Sequence, residues 1–244
     1  MGEGKNLRIS GSGTVNGGKY NEVHISGSGK VTGDIECVEL KTSGSSRIEG
    51  NVKTDLFKAS GSCRVHGNLQ AKEIRVSGSS RIAGNITTKE ISISGSAKIG
   101  QDLKAEKVSI SGGVSIGKDC ESEDFCGSGG FKIEGLLNAE NIDVQIGGKC
   151  TVREIGGKNI DIRNGKNFGF NLFNLFGDHC GKLVTDTIEG DNIFLENTVA
   201  NIVRGKKVII GEKCEIEVVE YTEEIKIDDK SKVNEKKKIE FSNM

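Results

Sequence analysis

The chain has 244 residues, with 34 Lys and Arg against 35 Asp and Glu, a formal net charge of -1, 34% hydrophobic residues and no Pro or Trp. That balance is not the footprint of a strongly basic nucleic-acid binder, and no run approaches the ~20 apolar residues of a membrane-spanning helix. The 35 Gly lack the every-third spacing of collagen, and regularly placed Ile and Val argue against low-complexity disorder.

The opening MGEGKNLRIS has no apolar core of a secretory signal, so a cytoplasmic chain with reduced thiols is expected. Its seven Cys are mostly isolated, no Cys-X-X-Cys occurs, and His24, His66 and His179 do not stand at zinc-ligand spacings. No metal and no cofactor is expected.

From Ser10 onward a Ser-Gly pair recurs at Ser26, Ser43, Ser60, Ser77, Ser94, Ser111 and Ser128, at intervals of 16 once and 17 six times. Five residues after each Ser stands a β-branched residue: Val15, Val31, Ile48, Val65, Ile82, Ile99, Ile116 and Ile133. Nine residues after stand Ile35, Val52, Leu69, Ile86, Leu103, Cys120 and Leu137. Before the Ser, pairs such as Ile74/Val76 and Ile91/Ile93 alternate with polar residues, which is the period of strands. Gly33-Asp34, Gly50-Asn51, Gly67-Asn68 and Gly84-Asn85 supply turns between the clusters. A repeat of this length cannot bury its own core and must stack on its neighbours. The predicted fold is therefore all-β: a β-helix solenoid with three short strands per ~17-residue coil and little or no helix.

The period loosens further on. Ile142/Val144 lead to Ile160/Ile162, and Ile193/Leu195 to Val208/Ile210 and Ile225/Ile227, with Val199, Ile216 and Val233 filling the intervening face. The expected organisation is N-terminal coils over 1–162, an aromatic interruption at 163–183, and C-terminal coils over 184–240. The interruption holds Phe168, Phe170, Leu172, Phe173 and Phe176. Clustered aromatics of this kind insert into a membrane surface or dock a partner when exposed; the other reading is that they fold back over an open side of the core.

Four residues after the Ser stand Lys30, Arg47, Arg64, Arg81 and Lys98, a basic ladder once the coils stack. Four residues before it stand Glu22, Glu39, Glu73, Glu90 and Asp124. Like charges on adjacent strands are unfavourable, so the ladders suggest contact between rods or with an anionic polymer or lipid; the plainer reading is a solvated edge with each cation leaning on a neighbouring carboxylate. No aromatics interleave with the bases, so nucleic acid is not an expected partner. No Gly-X4-Gly-Lys-Ser/Thr motif, no triad and no local carboxylate cluster is present, and an enzyme is not expected.

The repeats SGSSRIAGNI and GNLQAKEIRVSGSSRI resemble those of the bactofilins over residues 7–145, and the stretch GDNIFLENTVANIVRGKKVIIGEKCEIEVVEYTEEIKID is similar to the end of longer members from Gram-positive bacteria. The resemblance implies a right-handed β-helix and nucleotide-independent assembly into homopolymeric filaments. It also implies scaffolding at the membrane or cell wall, with the membrane surface or cell-wall enzymes as partners and a peripheral place at the inner face of the membrane. The alternative is a β-helical module that stays monomeric or dimeric and docks an anionic polymer or lipid surface through its basic ladder or aromatic loop. Open strand edges make Leu7, Ile9, Ile225, Ile227 and Val233 the candidate assembly residues.

Overall fold

Alternation of a branched apolar residue with a serine or a charge sends one set of side chains to each face of a strand. In the computed structural model, which describes residues 5–165 and 181–240, this pattern becomes a parallel β-solenoid, with no helix among the described residues. The chain forms two compact units, residues 1–122 and 123–244.

In the first unit the coils between Leu69 and Ile116 each consist of three short strands, as in Leu69–Gln70, Glu73–Val76 and Ser79–Ile82. Each strand pairs in parallel with its equivalent one coil on: Leu69 with Ile86, Ile74 with Ile91, Ile82 with Ile99. Like residues therefore stack in columns. Val31, Ile48, Val65, Ile82, Ile99 and Ile116 form one inward column, and Ile35, Val52, Leu69, Ile86, Leu103 and Cys120 a second. The third wall stacks Val23, Leu40, Phe57, Ile74, Ile91 and Val108. Every member of the three columns is fully buried. Each inward side chain is sealed by the coils on either side of it, so burial exists only once coils stack.

Two corners keep the coils in step. At the Ser-Gly-Ser corner, a Cβ on Gly61, Gly78 or Gly95 would run into the carbonyl oxygen of the glycine one coil below. The same carbonyls accept the N–H of Ser62, Ser79 and Ser96 at 2.9 Å. At the Gly-Asn corner the backbone N–H groups of Asn51, Asn68, Asn85 and Asp102 donate to the side-chain Oδ1 of Asp34, Asn51, Asn68 and Asn85, at 2.6–3.1 Å. A backbone donor that a turn leaves unpaired is thus satisfied by the coil beneath.

The second unit has the same parallel stacking but longer strands. Gly130–Ile146, Cys150–Asn164, Leu183–Leu195, Thr198–Ile210 and Glu215–Ile227 each run without a break, where three short strands per coil are predicted. Ile142, Ile160, Ile193, Val208 and Ile225 form one column. Asn141, Asn159 and Asn192 donate in turn to Asp124, Asn141 and Asn159, each at 2.9 Å. One sequence assignment changes: Val199 pairs with Glu215, and it is the buried Ala200 that stands in line with Ile216, which pairs with Val233. A single residue of register moves a side chain to the opposite face. The interruption at 163–183 falls inside this unit, and Phe168, Phe170, Leu172, Phe173 and Phe176 lie outside the described residues.

Candidate binding strip and assembly edges

The strand that follows each Ser-Gly-Ser corner alternates outward and inward. In Ser45–Ile48, Ser62–Val65, Ser79–Ile82 and Ser96–Ile99, the first and third residues face solvent and the second and fourth are buried. Because the strands pair in register, the outward positions become two rails. Ser28, Ser45, Ser62, Ser79 and Ser96 form one, and Lys30, Arg47, Arg64, Arg81 and Lys98 the other. The basic rail continues into Thr14 on one side and Ser115 on the other.

The rails line a groove of 880 Å³ whose wall includes all five cations and no carboxylate. Its floor uses the small inward residues Ser46, Cys63, Ser80 and Ala97. Within the rail, Lys30 is paired, with Glu49 at 2.7 Å, and its ammonium holds the Glu49 carboxyl below the usual carboxylate range. Arg47 feels that same carboxylate. Among the described residues Arg64, Arg81 and Lys98 have no ion pair, so there the reading in which each cation leans on a neighbouring carboxylate describes only the start of the rail.

The acidic ladder read from the sequence is interrupted. Glu39 is followed by Leu56 and then Glu73, and Glu90 pairs in register with Lys107. A second basic row, absent from the sequence reading, lies two residues before each corner: His24, Lys41, Lys58 and Arg75 are in register. The signal was the same 17-residue spacing at another phase. This row is partly neutralised, since Lys41 bridges Glu39 at 2.8 Å and Arg75 bridges Glu73.

The edge residues are placed as follows. Leu7 and Ile9 lie in the strand Leu7–Ile9, which pairs in parallel with Glu22–Ile25; Ile9 is buried and Leu7 half-buried. At the other extreme, Val233 pairs with Ile216 in the contact of Lys232–Lys238 with Glu215–Tyr221, and that pairing stops at Tyr221. Ile225 and Ile227 stand beyond it and are half-buried, unlike Ile193 and Val208 earlier in the same column. Four of the described cysteines, Cys63, Cys120, Cys150 and Cys214, are buried. Burial pushes the Cys120 thiol up to about 12 and also raises Cys63, Cys150 and Cys214, so these thiols are not nucleophiles near neutral pH. No cluster of metal-ligating side chains occurs among the described residues.

A family profile matches the same coils of the first unit. The profile of the Bactofilin family, described as polymer-forming cytoskeletal, matches residues 2–86 and 44–121. Residues 2–121 belong to the bactofilin family. Two relatives come from Bacillus subtilis (strain 168), both described as uncharacterized proteins. YhbF is 41% identical over 106 residues, covering 43% of this chain and 42% of the relative. YhbE is 38% identical over 109 residues, covering 44% and 45%. The chain thus matches less than half the length of these relatives. No solved structure matches it. The family that the profile describes is one of polymer-forming cytoskeletal proteins.

Proposed function

We propose that the chain assembles with copies of itself, edge to edge and without nucleotide, into filaments that serve as a cytoplasmic scaffold at the inner face of the membrane or the cell wall. The observation that carries this reading is the parallel ladder whose extreme strands offer unpaired edges beside apolar residues. Leu7–Ile9 pairs with Glu22–Ile25 alone among the described strands, and the stretch of Glu215–Ile227 beyond Tyr221 has no following partner among them. Unpaired edges in a stack of identical coils are templates for another copy of the same strand. The family's polymer-forming character supports the same reading. No helix among the described residues is long and apolar enough to cross a membrane; the aromatic stretch with Phe168, Phe170, Phe173 and Phe176 is our candidate for a peripheral contact with the membrane surface.

The test is negative-stain electron microscopy and sedimentation of the full chain without nucleotide. Filaments are expected for the parent. The pair Leu7→Lys and Ile9→Lys, or Ile225→Lys and Ile227→Lys, is expected to remove the fast-sedimenting species. Unchanged sedimentation in both pairs overturns assembly through these edges, and a parent that stays monomeric or dimeric favours a docking module instead.

A further inference from the structure

We infer that the serine and basic rails of the first unit form a binding strip for a linear phosphate-bearing polymer, which lies lengthwise along the solenoid with its anionic groups between Ser45, Ser62, Ser79 and Ser96 on one side and Arg47, Arg64, Arg81 and Lys98 on the other.

The rail stands out against the way this protein treats charge elsewhere. On other outward rows of the same unit cations meet carboxylates on neighbouring coils: Lys19 bridges Glu36 at 2.9 Å, Lys72 bridges Asp55 at 2.9 Å, Lys89 bridges Glu106 at 3.4 Å and Lys104 bridges Glu121 at 3.0 Å. The second basic row draws on Glu39 and Glu73 two residues before its own cations, whereas the basic rail stacks five cations in succession, the last three without an ion pair among the described residues. Adjacent strands lie ~4.8 Å apart, and like charges directly opposite are destabilising. A protein of net charge -1 with 35 carboxylates has ample means to compensate that column. Leaving it open keeps a continuous positive stripe available to an external anion.

The other grooves show the contrast in lining. The 560 Å³ groove beside the second basic row includes Glu73 and Glu90, and the 490 Å³ groove of the second unit includes Glu154, Glu189 and Asp191. Only the strip is without carboxylates among these three.

Geometry selects the ligand class. The site is one short strand wide and six coils long, so it suits a chain and not a plane of headgroups. On five of the six coils a hydroxyl and a cation two residues on face the same way, giving donors on both sides of the trough. A tetrahedral phosphate accepts from both sides at once, and a guanidinium presents a fork of donors matched to its oxygens. No aromatic side chain lines the groove on which a base would stack, so a nucleic acid gains nothing beyond its phosphates.

The probe is long-chain inorganic polyphosphate, labelled at one end and titrated with the full chain at low and at physiological salt. The variant Arg64→Gln/Arg81→Gln/Lys98→Gln removes the uncompensated charges. The control Lys53→Gln/Lys72→Gln/Lys89→Gln removes the same net charge from other faces of the same unit. Binding by the parent that weakens about tenfold in the strip variant, and less than about threefold in the control, is the expected result, with affinity falling steeply as salt rises. Equal losses in both variants, or no binding by the parent, overturn the strip. So does strip-dependent binding to vesicles of anionic lipid without binding to polyphosphate, which assigns the stripe to a membrane. The substituted residues lie away from Leu7, Ile9, Ile225 and Ile227, so filament formation by the strip variant is expected to match the parent. The two proposals therefore fail separately.

Discussion

The first unit advances by 17 residues per coil almost throughout, while the second advances by 18, 33, 15 and then 16–17. Both stack branched side chains in parallel columns, so the hydrophobic requirement is common to them. What differs is how even the corners are. In the first unit the Ser-Gly-Ser corners press glycine on glycine from coil to coil, as Gly78 on Gly61; in the second the contact recurs, as Gly190 on Gly157 and Gly205 on Gly190, but at uneven steps. There the chain passes its corners within long continuous strands, and a bulge between Gly205 and Lys207 takes up a residue without breaking the ladder. A strict step brings every phase of the repeat into line, and that is why charged rails form where the corners are even. In the second unit charges are paired locally, as Arg204 is with Glu189 at 3.2 Å and Glu220 at 2.7 Å.

Four measurements break or sharpen this contrast. Gly78→Ala places a Cβ against the Gly61 carbonyl and is expected to cost about 3 kcal/mol or more in urea unfolding. Gly156→Ala meets the end of the Asn138 side chain at 3.3 Å and is expected to cost less than about 1 kcal/mol. Similar losses at the two glycines would show that close approach to the backbone of the coil below is not what sets the cost. Next, Ile82→Ala in the middle of a sealed column is expected to cost about 3–4 kcal/mol, and Ile225→Ala at a half-buried end about 1 kcal/mol, by the same unfolding transitions.

The charge contrast gives a smaller effect. Removing Arg204 by Arg204→Gln strands two carboxylates and is expected to cost roughly 1 kcal/mol. Arg64→Gln breaks no ion pair and relieves two like-charged neighbours, so stability is expected to stay level or rise by a few tenths of a kcal/mol, more at low salt. A clear destabilisation by Arg64→Gln would show that the rail has an internal partner. Last, iodoacetamide at pH 8 is expected to modify the exposed Cys126 and to leave Cys120 intact in the folded chain. The Cys120 thiol ionises near 9 when unfolded and at about 12 when buried, so the unfolded chain loses its proton first. The stability this burial supports is full below pH 9 and falls as pH rises towards 12.

The columns were legible without coordinates because side-chain direction along a strand has period two and the coil has period 17, and both can be counted. On that ground Ile48, Val65, Ile82 and Ile99 read as one column, and Ile193, Val208 and Ile225 as another. The second basic row escaped because His24, Lys41, Lys58 and Arg75 share a phase with Ser92 and Ser109, which dilutes the pattern. Val199 was misassigned because the coil step there varies between 15 and 17, and a one-residue difference inverts a face.

By itself, then, the sequence determined that the chain is a stack of parallel β-coils, where its corners stand and which residues seal its core. Burial is a local demand repeated in every coil, and a repeat can be read. Only the tertiary structure decided which charges meet a partner. Lys30 and Arg64 occupy the same phase of the repeat, yet Glu49 reaches the first and no carboxylate reaches the second. That difference depends on side chains brought together from neighbouring coils, where distance in space and not spacing along the chain sets the interaction.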